Sequence, residues 1–252
     1  MIQFPASRPA LIAYVTCGDP DISATRDIVL AAIGAGADVV ELGVPFSDPV
    51  ADGPVIQRAS ERALRKGVTL RHVLQLAAAI RRRSNAGLIL FSYFNPVLQY
   101  GLERFAAASA DAGLDGALIT DLTVEEAGEY VRCMRTRKLA TVFLAAPTST
   151  DARLRAIARA STGFVYAVSR TGVTGTQQQL AADARSLVRR LRRCTPLPIA
   201  LGFGISTPAQ FHAAGRFADA VVVGSAIVQA IERSGRRRAA SAVAKLIAKL
   251  KG

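Results

Sequence analysis

The stretch Asp38-Val39-Val40-Glu41-Leu42-Gly43-Val44, which runs on into Pro45-Phe46-Ser47-Asp48-Pro49-Val50-Ala51-Asp52-Gly53-Pro54, shows the repeating unit of the fold. Its first part is a short apolar run rich in β-branched residues, which is typical of a strand buried on both faces. Its second part is a loop stiffened by proline. Because an unpaired charge is costly in apolar surroundings, Glu41 at the end of this run indicates chemistry more than packing. Capping of a helix by the two loop aspartates is the alternative.

Seven further runs of this kind recur along the 252 residues, and segments with helical spacing such as 70–80 and 243–250 lie between them. The eight predicted strands are 11–16, 38–44, 88–93, 116–121, 140–146, 164–169, 198–203 and 220–224. Eight alternations of strand and helix predict an α/β protein: a single (β/α)8 TIM barrel with additional helices, spanning residues 1–252 as one domain. An open doubly wound sheet is the alternative, because periodicity does not show closure.

Composition excludes several classes of protein. The net charge is +13, but the 32 basic residues are spread over helical segments and Trp is absent, whereas nucleic-acid binders concentrate charge on one face and interleave aromatic residues. We therefore expect no nucleic-acid partner, and solvated helix faces that also attract acidic ligands. Cys17, Cys133 and Cys194 lie far apart, which predicts neither a metal site nor a disulfide framework. No apolar run approaches the ~20 residues of a membrane span, so we expect a cytoplasmic protein without membrane contact.

The acids after the second predicted strand are candidates for proton transfer. In a (β/α)8 barrel the active site forms at the carboxyl ends of the strands, where Glu41 and Asp52 are both expected to lie. Apolar surroundings should raise the pKa of Glu41 enough for it to give and take a proton. Asp52 is predicted to stay ionised and to fix a substrate N–H or a developing positive charge. Asp48 is predicted to shape the loop.

Glycine turns follow the last three predicted strands. They read Arg-Thr-Gly-Val-Thr-Gly at 170–175, Gly-Phe-Gly-Ile-Ser at 202–206 and Gly-Ser-Ala-Ile at 224–227. Glycines let the backbone approach a phosphate, and the helix after the last turn points free N–H groups at the anion. Barrels commonly bind phosphate after strands 7 and 8. No Gly-Lys-Ser/Thr follows any of these turns, so the sequence predicts a phosphate site without implying a nucleotide.

These motifs resemble those of the tryptophan synthase alpha subunit family. The most specific matches are 41–57 and Ser-Arg-Thr-Gly-Val-Thr-Gly at 169–175, and the similarity runs from Thr-Cys-Gly-Asp-Pro at 16–20 to the turn at 224–227. The resemblance implies a phosphate-binding barrel that reversibly cleaves indole-3-glycerol phosphate to indole and D-glyceraldehyde 3-phosphate, a carbon–carbon lyase of tryptophan biosynthesis.

The resemblance also implies roles for particular residues. Glu41 matches the general acid/base, and Asp52 matches the acid that hydrogen-bonds the indole N–H. The implied substrate-binding residues are Tyr14, Phe91, Tyr166, Thr174 and Phe203. Thr174 belongs to a loop that closes over the substrate and is expected to contact Asp52. The implied backbone phosphate site comprises Gly175, Gly204, Gly224 and Ser225.

The resemblance implies that this chain needs no metal or organic cofactor and that it works in an α2β2 complex with a pyridoxal-phosphate-dependent β subunit. The family usually carries Asp-Leu-Pro or Asp-Val-Pro after the fourth strand, in a loop that lies against the β subunit, whereas this chain reads Asp121-Leu122-Thr123. Loss of proline's fixed φ is expected to loosen that loop and alter coupling. Two alternatives remain: a stand-alone lyase that releases free indole, and a non-catalytic barrel that activates a partner.

Overall fold

Eight parallel strands form a closed barrel in the computed structural model, which describes residues 2, 4–168, 177–202 and 204–252, with the backbone alone at 177–181. The strands are β1 (Ala10–Thr16), β2 (Val39–Gly43), β3 (Gly87–Ser92), β4 (Gly116–Ile119), β5 (Ala140–Ala145), β6 (Val165–Val168), β7 (Ile199–Gly202) and β8 (Ala220–Val223). Each strand pairs with its neighbours in the sequence, and β8 pairs with β1, with Ala10 opposite Ala220. The predicted (β/α)8 barrel is therefore confirmed, and the open sheet is wrong.

In the described residues, ten helices surround or cap this barrel. They are α1 (Ile22–Gly34), α2 (Pro54–Leu64), α3 (Leu70–Arg81), α4 (Phe94–Tyr100), α5 (Leu102–Asp111), α6 (Gly128–Thr136), α7 (Asp151–Ala160), α8 (Gln177–Arg192), α9 (Pro208–Gly215) and α10 (Ser225–Lys251). The last of these is two helical segments joined at Gly235, whose φ of 65° breaks the helical backbone. Within the described parts of the chain, no helix is both long and apolar enough to cross a membrane.

The strands separate two apolar layers. The inner layer fills the barrel and includes Val39 on β2 and Leu118 on β4, while the outer layer packs strands against helices and includes Val40 and Leu42. Successive residues of a strand point to opposite faces. Glu41 therefore shares the inward face with Val39, one residue pair closer to the carboxyl end of the barrel. This alternation explains how an acid enters an otherwise apolar interior.

Candidate active site

Glu41 is buried in the mouth of the barrel, where no described residue offers it a hydrogen bond. In the strand register Glu41 lies between Tyr14 on β1 and Ile89 on β3, and it is 1% exposed. Neither carboxyl oxygen of Glu41 meets a donor among the residues that the structure describes. Burial raises the pKa of Glu41 from 4.5 to about 8, the direction that the apolar run predicted. A carboxyl held in this way is protonated at neutral pH and poised to exchange a proton.

Asp52 lies half-buried in the loop between β2 and α2. Burial raises its pKa to about 6, against a hydrogen bond from the Tyr93 hydroxyl that lowers it. The same hydroxyl accepts a hydrogen bond from the backbone N–H of Ala51, at 3.0 Å, and the Tyr93 ring stacks on Phe46 with 5.1 Å between centroids. Tyr93, which follows β3, thus fastens the acid loop at three points. The carboxyl of Asp52 remains largely ionised at pH 7.

Two buried tyrosines lie near both acids. Tyr14 on β1 and Tyr166 on β6 are each 4% exposed, and burial raises the pKa of both hydroxyls well above the usual range. The charges of both Glu41 and Asp52 raise these two pKa values further, so the four groups lie within electrostatic range of one another. The two acids and the two tyrosines therefore face one shared space at the carboxyl end of the barrel.

An apolar wall closes one side of this space. Tyr14 meets Phe91 of β3 edge-on, with ring centroids 5.0 Å apart. A small cluster extends this contact to the outer helices and comprises Tyr14, Phe91, Val55, Ile56, Ala59 and Val228. The last four members come from the first two turns of α2 and the first turn of α10. A flat aromatic ligand bound beside Asp52 would pack its ring against this apolar wall.

The glycine turns after β7 and β8 lie at the same end of the barrel. Gly204 has a φ of 79°, a conformation that favours glycine, and Gly224 immediately precedes the first residue of α10, Ser225. The first N–H groups of a helix lack intrahelical partners and carry a partial positive charge, which makes the start of α10 suited to a phosphate. Three of the predicted residues, Thr174, Gly175 and Phe203, lie outside the described residues.

Sequence reasoning did not find three contributors to this site, Tyr93, Val55 and Ile56. Tyr93 ends an apolar run and reads as a core residue until its hydroxyl is seen against Asp52. Val55 and Ile56 follow Asp52 by three and four residues, in the first turn of α2. Both are apolar residues at the start of the helix that follows the Asp52 loop, and this position could have indicated them.

The loop after β4 is held without the family's proline. Leu122 is buried, the hydroxyl of Thr123 lies 3.4 Å from a carboxyl oxygen of Glu126, and Glu125 pairs with Arg153 of α7 at 3.2 Å. Thr123 and Arg153 also line a cavity of about 540 Å³ between the loops that follow β4 and β5. These are the contacts that this chain makes where the family usually carries proline, and the expected loosening stays a prediction.

The fold and the site define a TIM-barrel enzyme with buried carboxyls in its mouth. Comparison with known proteins makes this specific: the sequence model of the family described as tryptophan synthase alpha chain matches residues 4–251. The chain belongs to the tryptophan synthase alpha chain family. It is accordingly a lyase of tryptophan biosynthesis, and the reaction of its family is the cleavage of indole-3-glycerol phosphate.

Similar proteins cover nearly the whole chain. The tryptophan synthase alpha chain of Solibacter usitatus is 55% identical over 92% of this chain and 87% of its own length, and that of Geobacter sulfurreducens is 49% identical over 90% and 86%. Among solved structures, a tryptophan synthase complex from Pyrococcus furiosus superposes with a TM-score of 0.88 at 37% identity, covering 99% of this chain and 100% of the other. The tryptophan synthase of Mycobacterium tuberculosis gives 0.88 at 40% identity, covering 97% and 93%.

Proposed function

We propose that this chain cleaves indole-3-glycerol phosphate with Glu41 as the general acid and base and Asp52 as the partner of the indole nitrogen. The observation that carries the assignment is that two carboxyls with different pKa values lie at the same end of the barrel. Burial raises the pKa of Glu41 to about 8, while the less buried Asp52 has a pKa of about 6. Two acids whose environments separate their pKa values are suited to opposite roles, one protonated and one ionised near pH 7.

The reaction divides into two proton movements. Protonated Glu41 gives its proton to indole C3, which produces a cationic indolenine whose N–H is stabilised by ionised Asp52. The glycerol hydroxyl next to the scissile bond then loses its proton to the Glu41 carboxylate. As the carbonyl of glyceraldehyde 3-phosphate forms, the C–C bond breaks and its electron pair returns to the ring, which neutralises the nitrogen. Glu41 is protonated again at the end of the cycle.

The remaining residues hold the substrate in place. The start of α10 at Gly224 and Ser225, with Gly204 beside it, would bind the phosphate through backbone N–H groups. Tyr14, Phe91 and Tyr166 would enclose the indole, together with Val55 and Ile56. Thr174, Gly175 and Phe203 keep the roles that the family resemblance implies. Fixing both ends of the substrate converts binding energy into orientation of the scissile bond.

We further propose that the chain uses no cofactor of its own and acts in the cytoplasm within an α2β2 complex, with pyridoxal phosphate in the β subunit. A similar solved structure is described as a tryptophan synthase complex, which supports a partner of this kind. The anchored loop at Leu122 and Thr123 is the region where the family resemblance places the β contact. No cluster of three metal-binding side chains occurs in the described ranges, and the proposed chemistry requires none.

The test is indole release from indole-3-glycerol phosphate by the purified chain, with and without a β subunit from a related organism. We expect slow release by the chain alone and acceleration by β. Fast release that β does not change would favour a stand-alone lyase. A chain that accelerates β but releases no indole would be a non-catalytic activator. In parallel, Glu41→Gln should abolish release while leaving the binding of glycerol phosphate intact, and unchanged turnover would refute the assigned mechanism.

A further inference from the structure

An ion-pair network joins the loop after β1 to helices α2 and α10, outside the candidate active site. The guanidinium of Arg62 on α2 donates from Nε and Nη2 to the two carboxyl oxygens of Asp19, at 2.9 and 2.8 Å. Its remaining nitrogen, Nη1, donates to Glu232 on α10 at 2.8 Å. Arg58, one turn earlier on α2, donates to both oxygens of Glu232 at 3.2 and 3.1 Å. The single side chain of Arg62 therefore joins two carboxylates that lie on two different elements.

The three elements that this network joins each lead to part of the site. Asp19 lies in the loop after β1, the strand that carries Tyr14. Helix α2 begins two residues after Asp52. Helix α10 begins at the proposed phosphate turn, about 10 Å from Glu232 along the helix axis at 1.5 Å per residue. The network thus connects the acid loop (residues 44–53) to the phosphate turn (Gly224 and Ser225) through the helices that follow them.

An apolar contact between the same helices lies nearer the mouth. Ala59 of α2 and Val228 of α10 are 0% and 1% exposed and pack together with Tyr14. Ala59 precedes Arg62 by three residues and Val228 precedes Glu232 by four, so each apolar residue and its charged neighbour share one helix face. The two helices are therefore joined at two successive levels, one apolar and one ionic.

The chemistry of the network requires arginine. Asp19 has a side chain only 4% exposed, and it receives a two-bond fork that an ammonium cannot reproduce. Hydrogen bonds from Arg58 and Arg62 lower the pKa of Glu232, so this carboxylate stays charged at neutral pH. A lysine at position 62 could pair with one acid but could not bridge both in the same geometry.

A comparable arginine at the opposite end of the barrel shows what a purely structural role looks like. Arg81 of α3 donates to Asp115 at 2.8 Å and to the backbone oxygens of Gly113 and Ala86, next to the amino ends of β3 and β4. Its exposed fraction, 24%, is similar to the 32% of Arg62. Arg81 contacts neither the acid loop nor the phosphate turn, so it serves as a matched control.

We propose that Arg62 is a positioning residue that couples the phosphate turn to the acid loop, so that a phosphate bound at the start of α10 stabilises the arrangement of Asp52 that binds indole. This inference rests on the proposed function. Because coupling between two sites is reciprocal, a phosphate ligand should tighten indole binding by the same factor by which indole tightens binding of the phosphate ligand. Loss of Arg62 should remove that factor without removing either site.

The experiment measures the Kd of indole by calorimetry, without and with saturating glycerol 3-phosphate, an unreactive mimic of the phosphate product. In the wild-type chain we expect glycerol phosphate to tighten indole binding about fivefold or more. In Arg62→Met this factor should fall below about twofold, with the Kd of glycerol phosphate alone nearly unchanged. Turnover per folded molecule, with the folded fraction measured by circular dichroism, should show a kcat about tenfold lower at little change in KM. A loss of folded protein would lower the apparent kcat in the same way, but it would leave the ratio of the two indole Kd values unchanged.

The controls separate the possible failures. Arg81→Met should keep the wild-type coupling factor and kcat per folded molecule, whatever its melting temperature. If Arg62→Met does not fold, Arg62→Lys replaces it and should show a coupling factor below that of the wild type. Coupling equal to the wild type in the folded Arg62 variant, or no coupling in the wild type itself, would overturn the inference. Absence of indole formation by the wild-type chain with a β subunit would instead refute the proposed function.

Discussion

The hydroxyl of Tyr14 lies over the backbone of Gly43, such that a Cβ placed on Gly43 would come within 2.4 Å of the hydroxyl oxygen. The same arrangement occurs across the barrel, where a Cβ on Gly202 would come within 2.2 Å of the hydroxyl oxygen of Tyr166. A glycine near the carboxyl end of β2 and another at the end of β7 thus leave room for the two tyrosines that face the acids. The pocket is shaped as much by missing side chains as by those present.

We expect Gly43→Ala to displace the Tyr14 ring into the pocket, because the ring is buried and cannot move outward. Overpacking of this kind costs about 1 to 3 kcal/mol of unfolding free energy. Indole binding should weaken in parallel, which calorimetry would measure. Gly34→Ala is the control, since a Cβ there meets nothing within 4 Å and alanine is favoured in a helix. Equal indole affinity in Gly43→Ala and the wild type would contradict this packing argument.

The pH dependence of turnover should be bell-shaped. Activity requires ionised Asp52, whose pKa is about 6, and protonated Glu41, whose pKa is about 8. The value of kcat/KM should therefore rise as pH increases through about 6 and fall as it increases through about 8. Steady-state assays of indole release between pH 5 and 9 would show both limbs. Any residual activity of Asp52→Asn should lack the acidic limb; a profile that keeps this limb would assign it to another group.

Folding stability should also depend on pH through Glu41. Its pKa rises from 4.5 in the unfolded chain to about 8 in the folded one, so the folded state holds the proton more tightly. The stabilisation is complete below pH 4.5 and is lost as pH rises towards 8, a loss on the order of 3 kcal/mol at pH 7.

Glu41→Gln removes this ionisation, so its unfolding free energy should fall less than that of the wild type between pH 5 and 8. Urea unfolding at the two pH values measures the difference. Glu61→Gln, an exposed acid on α2, should keep the wild-type slope. A Glu41→Gln chain with the same slope as the wild type would show that another group carries the pH dependence.

Tyr93→Phe tests the fastening of the acid loop. The Tyr93 hydroxyl lowers the pKa of Asp52, so its removal should move the acidic limb of the pH profile above pH 6. A hydrogen bond to a charged group contributes about 1.5 to 3 kcal/mol, so we expect kcat/KM at pH 6 to fall by about tenfold or more. Tyr100→Phe is the control, because that ring lies on α4 under Arg104. An unshifted limb in Tyr93→Phe would exclude this role.

Gly224→Asp tests the phosphate turn. The aspartate places a negative charge at the start of α10, where the helix favours an anionic ligand. Its Kd for glycerol 3-phosphate should rise about tenfold or more, equivalent to about 1.4 kcal/mol. Gly224→Ala should retain binding, because a Cβ there lies 3.5 Å from its nearest neighbour, an ordinary contact. Loss of affinity in both variants alike would indicate a steric rather than an electrostatic effect.

Local patterns in the sequence predict the barrel well, because each strand is a short apolar run and each run ends near a chemically distinctive loop. Closure is different, since the pairing of Ala10 with Ala220 joins positions more than two hundred residues apart and leaves no mark in either segment. Glu41 could be selected from the sequence because a charge inside an apolar run is costly. Its neighbour Asp52 could be selected by its loop.

Residues that act through distant partners escape such reasoning. Tyr93 looks like a core tyrosine, and only the fold brings its hydroxyl to Asp52. Arg62 looks like one more exposed cation on a basic helix, yet its partners Asp19 and Glu232 lie 43 residues before and 170 residues after it. Pairings over such separations depend on how the helices pack around the barrel, which no local pattern records.

Because no described donor satisfies the buried Glu41 carboxyl, mutations that raise the folding stability of this protein can remove its activity. Among single changes in the barrel interior, replacement of Glu41 by an apolar residue of similar size would relieve a buried acid that no described donor satisfies. Selection for thermal stability alone would therefore tend to replace Glu41, the proposed proton carrier, in an early round. A library of thermostable variants should be screened for turnover at every round, with position 41 held constant.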